Sequence, residues 1–88
     1  MPWEIIFTPK AQKDLEKLGG KTKKRVLDKL IWLKNNFEEI NPLPLSNKWQ
    51  GFFKLRIGDW RIIYDMEEPK KRITIHKIDI RDKVYKKK

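Results

Sequence analysis

The segment Gly51-Phe-Phe-Lys-Leu-Arg-Ile-Gly-Asp-Trp-Arg-Ile-Ile-Tyr64 constrains this chain most, because cations stand at intervals inside apolar, aromatic-rich runs around a Gly58-Asp59 step. A period of two marks a half-buried strand, so the segment reads as two strands joined at that step. One phase carries Phe53, Leu55, Ile57, Ile62 and Tyr64, and is assigned to a core. The opposite phase leaves Lys54 and Arg56 facing outward, and Arg61 can join them across the hairpin. Cations fixed on a sheet surface suit phosphate.

The flanking sequence supplies the other layer. Trp3 to Phe7 is a β-branched and aromatic run, expected as a strand. Thr8-Pro9 is a helix start, a capping hydroxyl followed by proline at the first helical position. Ala11, Leu15 and Leu18 form one apolar stripe, and Gly19-Gly20 is expected to end that helix. A second helix is expected from Lys21 or Thr22. Val26, Leu30, Leu33 and Phe37 mark its buried stripe, widened by Leu27, Ile31 and Trp32.

Residues 41–47 read as a loop, since Pro42 and Pro44 oppose both helix and sheet. Strands are expected over 51–57, 60–66 and 72–80, with a second turn at 67–70. The whole is expected to be one α+β domain over residues 1–88: an N-terminal strand, a helical hairpin, then an antiparallel meander with the helices packed on one sheet face. In the last strand Ile73 and Ile75 occupy one phase, Ile78 and Ile80 the other. Either a bulge or a strand covered on both faces explains this.

Composition removes most chemistries. The 88 residues contain no cysteine, which excludes disulfides and thiolate metal sites, and a single histidine, which excludes paired-histidine acid–base catalysis. Metal nucleases cluster carboxylates or histidines, and here the acids are scattered, so neither metal nor cofactor is expected. No Gly-rich phosphate loop or nucleophile elbow is present. No apolar run approaches the roughly 20 residues of a membrane span and no secretory signal is seen, so a cytoplasmic protein is expected.

The net charge of +10 favours nucleic acid or an acidic protein as partner, although a lysine-rich proteome produces the same balance. What remains is chemistry run by Lys, Arg and Tyr. RNA carries its own nucleophile, the 2′-OH, and needs only a base, cations for the phosphorane charge and an acid for the 5′ oxygen. Like-charge repulsion among cations makes a lysine a better base, and arginine's planar fork matches the pentavalent phosphate. A tyrosine can stack on a nucleobase.

The run Phe53-Lys-Leu-Arg-Ile-Gly-Asp-Trp-Arg-Ile-Ile-Tyr64 resembles the central signature of the RelE/ParE toxin superfamily, and Arg81-Asp-Lys-Val-Tyr85 resembles its C-terminal Arg-x-x-x-Tyr element. The element order agrees along essentially the whole chain. This resemblance implies the toxin of a type II toxin–antitoxin pair that cuts mRNA in the ribosomal A site without metal and is neutralised by a small antitoxin. Carried onto matching positions, it implies Lys54 and Arg56 as base and phosphate contacts. Arg61 would stabilise transition-state charge, Arg81 would serve as acid or phosphate clamp, and Tyr85 would stack on a base. Ile80 stands where many RelE-like toxins have histidine, and His76 lies too far upstream to replace it.

Each of these residues also has a plain structural role open to it. Lys54 and Arg56 suit the solvated phase of an edge strand, where lysine discourages aggregation. Arg61 can pair with Asp59 or Asp65, Arg81 is consistent with a tail charge, and Tyr85 with an anchor for the tail. Trp49 and Trp60 read first as packing residues. A ParE-like inhibitor of DNA gyrase on the same fold, or a catalytically degenerate binding member, are the rival functions.

Overall fold

The computed structural model describes residues 3–80. Its elements are β1 (Glu4–Phe7), α1 (Pro9–Glu16), α2 (Gly20–Asn36), β2 (Leu43–Pro44), β3 (Phe53–Ile57), β4 (Trp60–Glu67) and β5 (Arg72–Ile80). Thr8 starts α1 as expected: its backbone is extended, and its Oγ1 accepts the Ala11 N–H at 3.1 Å. The glycine pair acts differently from the expectation. α1 already stops at Glu16, with Lys17 as its C-cap, and Gly19 is the N-cap of α2. The pair therefore opens the second helix rather than closing the first.

The sheet has the order β1-β5-β4-β3-β2. β3, β4 and β5 form the expected antiparallel meander, and β1 joins parallel to β5 (Glu4 opposite Arg72, Phe7 opposite Ile75). The expected loop over residues 41–47 contains a two-residue strand: Leu43 and Pro44 pair with Lys54 and Phe53. Proline is tolerated because β2 lies at the sheet edge, where its missing N–H breaks no ladder.

The isoleucine pattern of β5 is resolved by a bulge. Ile63 faces Lys77 and Tyr64 faces Ile75, so His76 has no cross-strand partner. The extra residue resets the phase, and Ile73, Ile75 and Ile78 all enter the same core.

That core lies between the helices and one sheet face. Val26, Leu30, Leu33 and Phe37 are buried as expected, against Ile57, Ile62 and Tyr64, with Phe53 and Leu55 packed beside them. Its centre is a run of rings: Trp3 to Phe37 at 4.7 Å, Phe37 to Tyr64 at 6.1 Å and Tyr64 to Phe53 at 5.8 Å. The expected widening of the α2 stripe does not occur. Leu27, Ile31 and Trp32 remain 37%, 54% and 42% exposed, because each follows a buried residue or its neighbour by about 100° of helical rotation and turns away from the sheet.

Among the described residues, Asp14 is the charged side chain that sits in this buried layer. Its Oδ2 accepts the Ile78 N–H at 3.0 Å and its Oδ1 accepts from Lys10 Nζ at 2.9 Å. β1 pairs with β5 only as far as Ile75, so the carboxylate satisfies a strand donor that β1 does not reach. Burial pushes the Asp14 carboxyl up, but Lys10, the Ile78 N–H and the charge of Lys17 outweigh it and hold the group below its ordinary value. Its stabilisation is therefore present above the unfolded-state value near pH 4 and is lost as pH falls through the lower folded value. Asp14→Ala is expected to cost about 1.5–3 kcal/mol at neutral pH, the range for a charged hydrogen bond. Urea titrations should show the gap to wild type narrowing in acid.

Candidate functional site

Cross-strand neighbours in an antiparallel pair share a sheet face. Two rows therefore cross the face of β3, β4 and β5 opposite the helices: Lys54, Ile63 and Lys77, then Arg56, Arg61 and Asp79. Lys54, Arg56 and Arg61 share this face as the alternation predicts, with Arg56 directly opposite Arg61. Lys77 is a further cation that sequence reasoning missed, because the bulge at His76 hides its phase.

Two arginines directly opposite each other repel, and Asp79 relieves this. Arg61 Nε and Nη2 donate to Asp79 Oδ1 and Oδ2 at 3.1 and 3.0 Å, while Lys77 Nζ stands 3.6 Å from the same carboxylate. The structural partner of Arg61 is thus neither Asp59 nor Asp65. The bidentate fork fixes the guanidinium plane and leaves Nη1 outside the pair. The pair is only 17% and 22% exposed. No ion pair among the described residues involves Lys54 or Arg56.

A second cation reaches the hairpin from α2. Gly58 has φ +58°, and a Cβ built there would stand 3.0 Å from Arg25 Nη2. The Arg25 guanidinium therefore packs against the β3–β4 turn, at the end of the sheet where Arg56 and Arg61 lie. A helix residue touching a turn leaves no trace in local spacing, and Arg25 was not among the expected site residues.

Lys54 and Arg56 also line a cleft between α2 and the β3 edge, together with Lys29, Trp32, Leu43 and Tyr64. Lys29 Nζ lies 4.3 Å from the centre of the Trp32 ring. Burial pushes the Tyr64 hydroxyl up to about 12, so this tyrosine stays neutral and is no acid at neutral pH.

The outer face is not bare. The turn Asn47–Trp49 and Phe52 fold against it: the Trp49 and Phe52 rings meet edge-on at 5.2 Å, Phe52 meets His76 edge-on at 4.9 Å, and Lys77 Nζ lies 5.8 Å from the Trp49 ring centre. His76 Nε2 stands 3.2 Å from Asp65 Oδ2 without making a hydrogen bond. Such cover agrees with the complete burial of Ile63, which shares this face and takes no part in the helix-side core. Arg81 and Tyr85, the other two expected site residues, lie outside the described residues. Among the described residues no group of His, Asp and Glu converges as a metal site, and no helix is long and apolar enough to cross a membrane.

Two helices on one face of a five-stranded mixed sheet is the architecture of RelE-like toxins. The RelBE2 toxin–antitoxin complex of Mycobacterium tuberculosis contains a chain that superposes with a TM-score of 0.81 at 26% identity, covering 92% of this chain and 100% of that one. The archaeal RelE–RelB complex from Pyrococcus horikoshii OT3 gives a TM-score of 0.72 at 22% identity, over 92% and 97% of the two chains, a likeness of fold. In sequence, Toxin RelG of Mycobacterium tuberculosis is 28% identical over 90 residues, 98% of this chain and 99% of that protein. The profile of the family described as "ParE toxin of type II toxin-antitoxin system, parDE" matches residues 5–85. The chain belongs to this family of type II toxin–antitoxin toxins, within the RelE/ParE superfamily.

Proposed function

We propose that the protein is a metal-independent, ribosome-dependent mRNA endoribonuclease, held inactive by a cognate antitoxin. The observation that carries this reading is the shared outer face of Lys54, Arg56 and Arg61, with Lys77 beside them and one carboxylate, Asp79, orienting Arg61. Lys54 takes the proton of the 2′-OH, and the freed oxygen attacks the adjacent phosphorus. Arg56 and Arg61 hold the phosphorane oxygens as the P–O5′ bond breaks, and Arg81 delivers a proton to the departing 5′ oxygen. Tyr85 stacks on a base of the substrate. The products are a 2′,3′-cyclic phosphate and a 5′-hydroxyl. The cytoplasm, where translating ribosomes are, is the compartment this activity requires.

The antitoxin part of the reading is supported by the complexes in which the related folds occur and by the apolar residues Leu27, Ile31 and Trp32 left exposed along α2 of a chain with net charge +10. An acidic protein with an apolar helix face would complement both features.

The test is cleavage of mRNA on purified ribosomes in excess EDTA. The expected result is cutting with cyclic or 3′-phosphate ends. A second reading, a ParE-like gyrase inhibitor, is favoured by the engagement of the Arg61 fork with Asp79, a binding surface needing no mobile cation. Intact mRNA together with gyrase-dependent DNA breaks in expressing cells would establish that reading instead.

A further inference from the structure

We infer that the indole of Trp49 is a nucleobase-stacking platform, which holds a base of a single-stranded RNA while Lys54, Lys77 and the arginine row hold its backbone. This deepens the ribonuclease reading and rests on it. Proteins that grip single strands alternate cations along the backbone path with rings that stack on bases, and the outer face has that composition. The four tryptophans have different settings. Trp3 is buried, Trp60 packs against the helix-side core, and Trp32 lies on α2 beside Lys29. Trp49 is the half-exposed ring on the side of the sheet that carries the cation rows, with Lys77 Nζ 5.8 Å from its centre.

Its orientation is set by neighbours rather than by a core. The Phe52 ring stands at 87° to the indole, and the His76 ring at 87° to Phe52, with Asp65 3.2 Å beyond His76 Nε2. The bulge makes this buttress, because it puts His76 and Lys77 next to each other without a second cross-strand partner. Lys77 Nζ lies over the indole, 5.8 Å from its centre, so a cation for the backbone stands beside the ring that holds the base. Adjacent strands about 4.8 Å apart place the Lys54 and Lys77 backbones roughly 10 Å from each other across Ile63. The acids of this face are turned to other partners: Asp79 to Arg61 and Lys77, Asp65 to His76.

The experiment is binding of a short single-stranded RNA and of an abasic strand of equal length, each over a series of salt concentrations, in parallel with the ribosome cleavage assay. Wild type is expected to prefer the RNA by about tenfold, the scale of one stacked base. Trp49→Ala and Trp49→Leu should lose that preference with an unchanged salt slope, and Trp49→Phe should keep most of it. Lys77→Ala should weaken both strands alike and lower the salt slope by about one. The leucine variant preserves apolar bulk without a π-face, so a folding defect in the alanine variant does not obscure the result. A wild type that cuts mRNA but shows no preference for bases, or a Trp49→Leu variant that keeps the preference, overturns the platform alone. A wild type that neither cuts mRNA nor binds either strand overturns the nuclease reading with it.

Discussion

Arg61→Ala is expected to slow mRNA cleavage on ribosomes by about 10²-fold, the usual loss when one preorganised charge donor is removed from a transition state. Asp79 grips the guanidinium through Nε and Nη2, so the group does not have to reorient as the phosphorane charge develops. The loss should appear mainly in kcat, since the additional negative charge of the phosphorane exists only in the transition state. Stability should fall by only about 1 kcal/mol, because Lys77, 3.6 Å from Asp79, remains as a partner for the carboxylate. Asp79→Asn separates orientation from charge: it keeps Arg61 but loosens its fork, and should lie between wild type and Arg61→Ala. Arg81→Ala is expected to match Arg61→Ala in size. Full activity in both alanine variants would leave Arg61 as no more than the counter-ion of Asp79 and remove the proposed site.

Phe37→Ala should cost about 3–5 kcal/mol, the range for deleting a buried aromatic ring. The ring is 6% exposed and lies between Trp3 at 4.7 Å and Tyr64 at 6.1 Å, so its loss opens a cavity where helix and sheet layers meet. A small domain has only about 5–15 kcal/mol in total, so the variant should lose much of its margin, at about 4–8 °C of Tm for each kcal/mol. Urea unfolding checks it, with the midpoint lowered and the slope unchanged. Ile31, on α2, which ends just before Phe37, is 54% exposed, and Ile31→Ser should change stability by less than about 0.5 kcal/mol. Equal losses in the two variants would mean that the apolar stripe of α2 has been assigned to the wrong side.

The basic face was legible because its rows follow from two local facts, the alternation within β3 and β4 and the tight turn between them. Once Gly58 and Asp59 set the register, Arg56 must face Arg61. Lys77 and Asp79 were not legible in the same way. They belong to the same face only after a one-residue bulge has shifted the phase of β5, and the isoleucine switch around His76 fits a strand covered on both faces equally well. Asp14 illustrates a further limit: its role is to accept an N–H from a strand 64 residues away. Pro44 was assigned to a loop from its own chemistry, yet an edge position makes that chemistry acceptable in a strand.

The linear order of residues thus determined the two helices and the four longer strands, the division into an apolar and a cationic sheet face, and the family, since each depends on spacing over a few residues. Tertiary structure decided the parallel seat of β1, the exposure of Leu27, Ile31 and Trp32, and the capture of Arg61 by Asp79. These depend on which edges and faces remain unsatisfied after the layers pack, and that is a property of distant segments meeting.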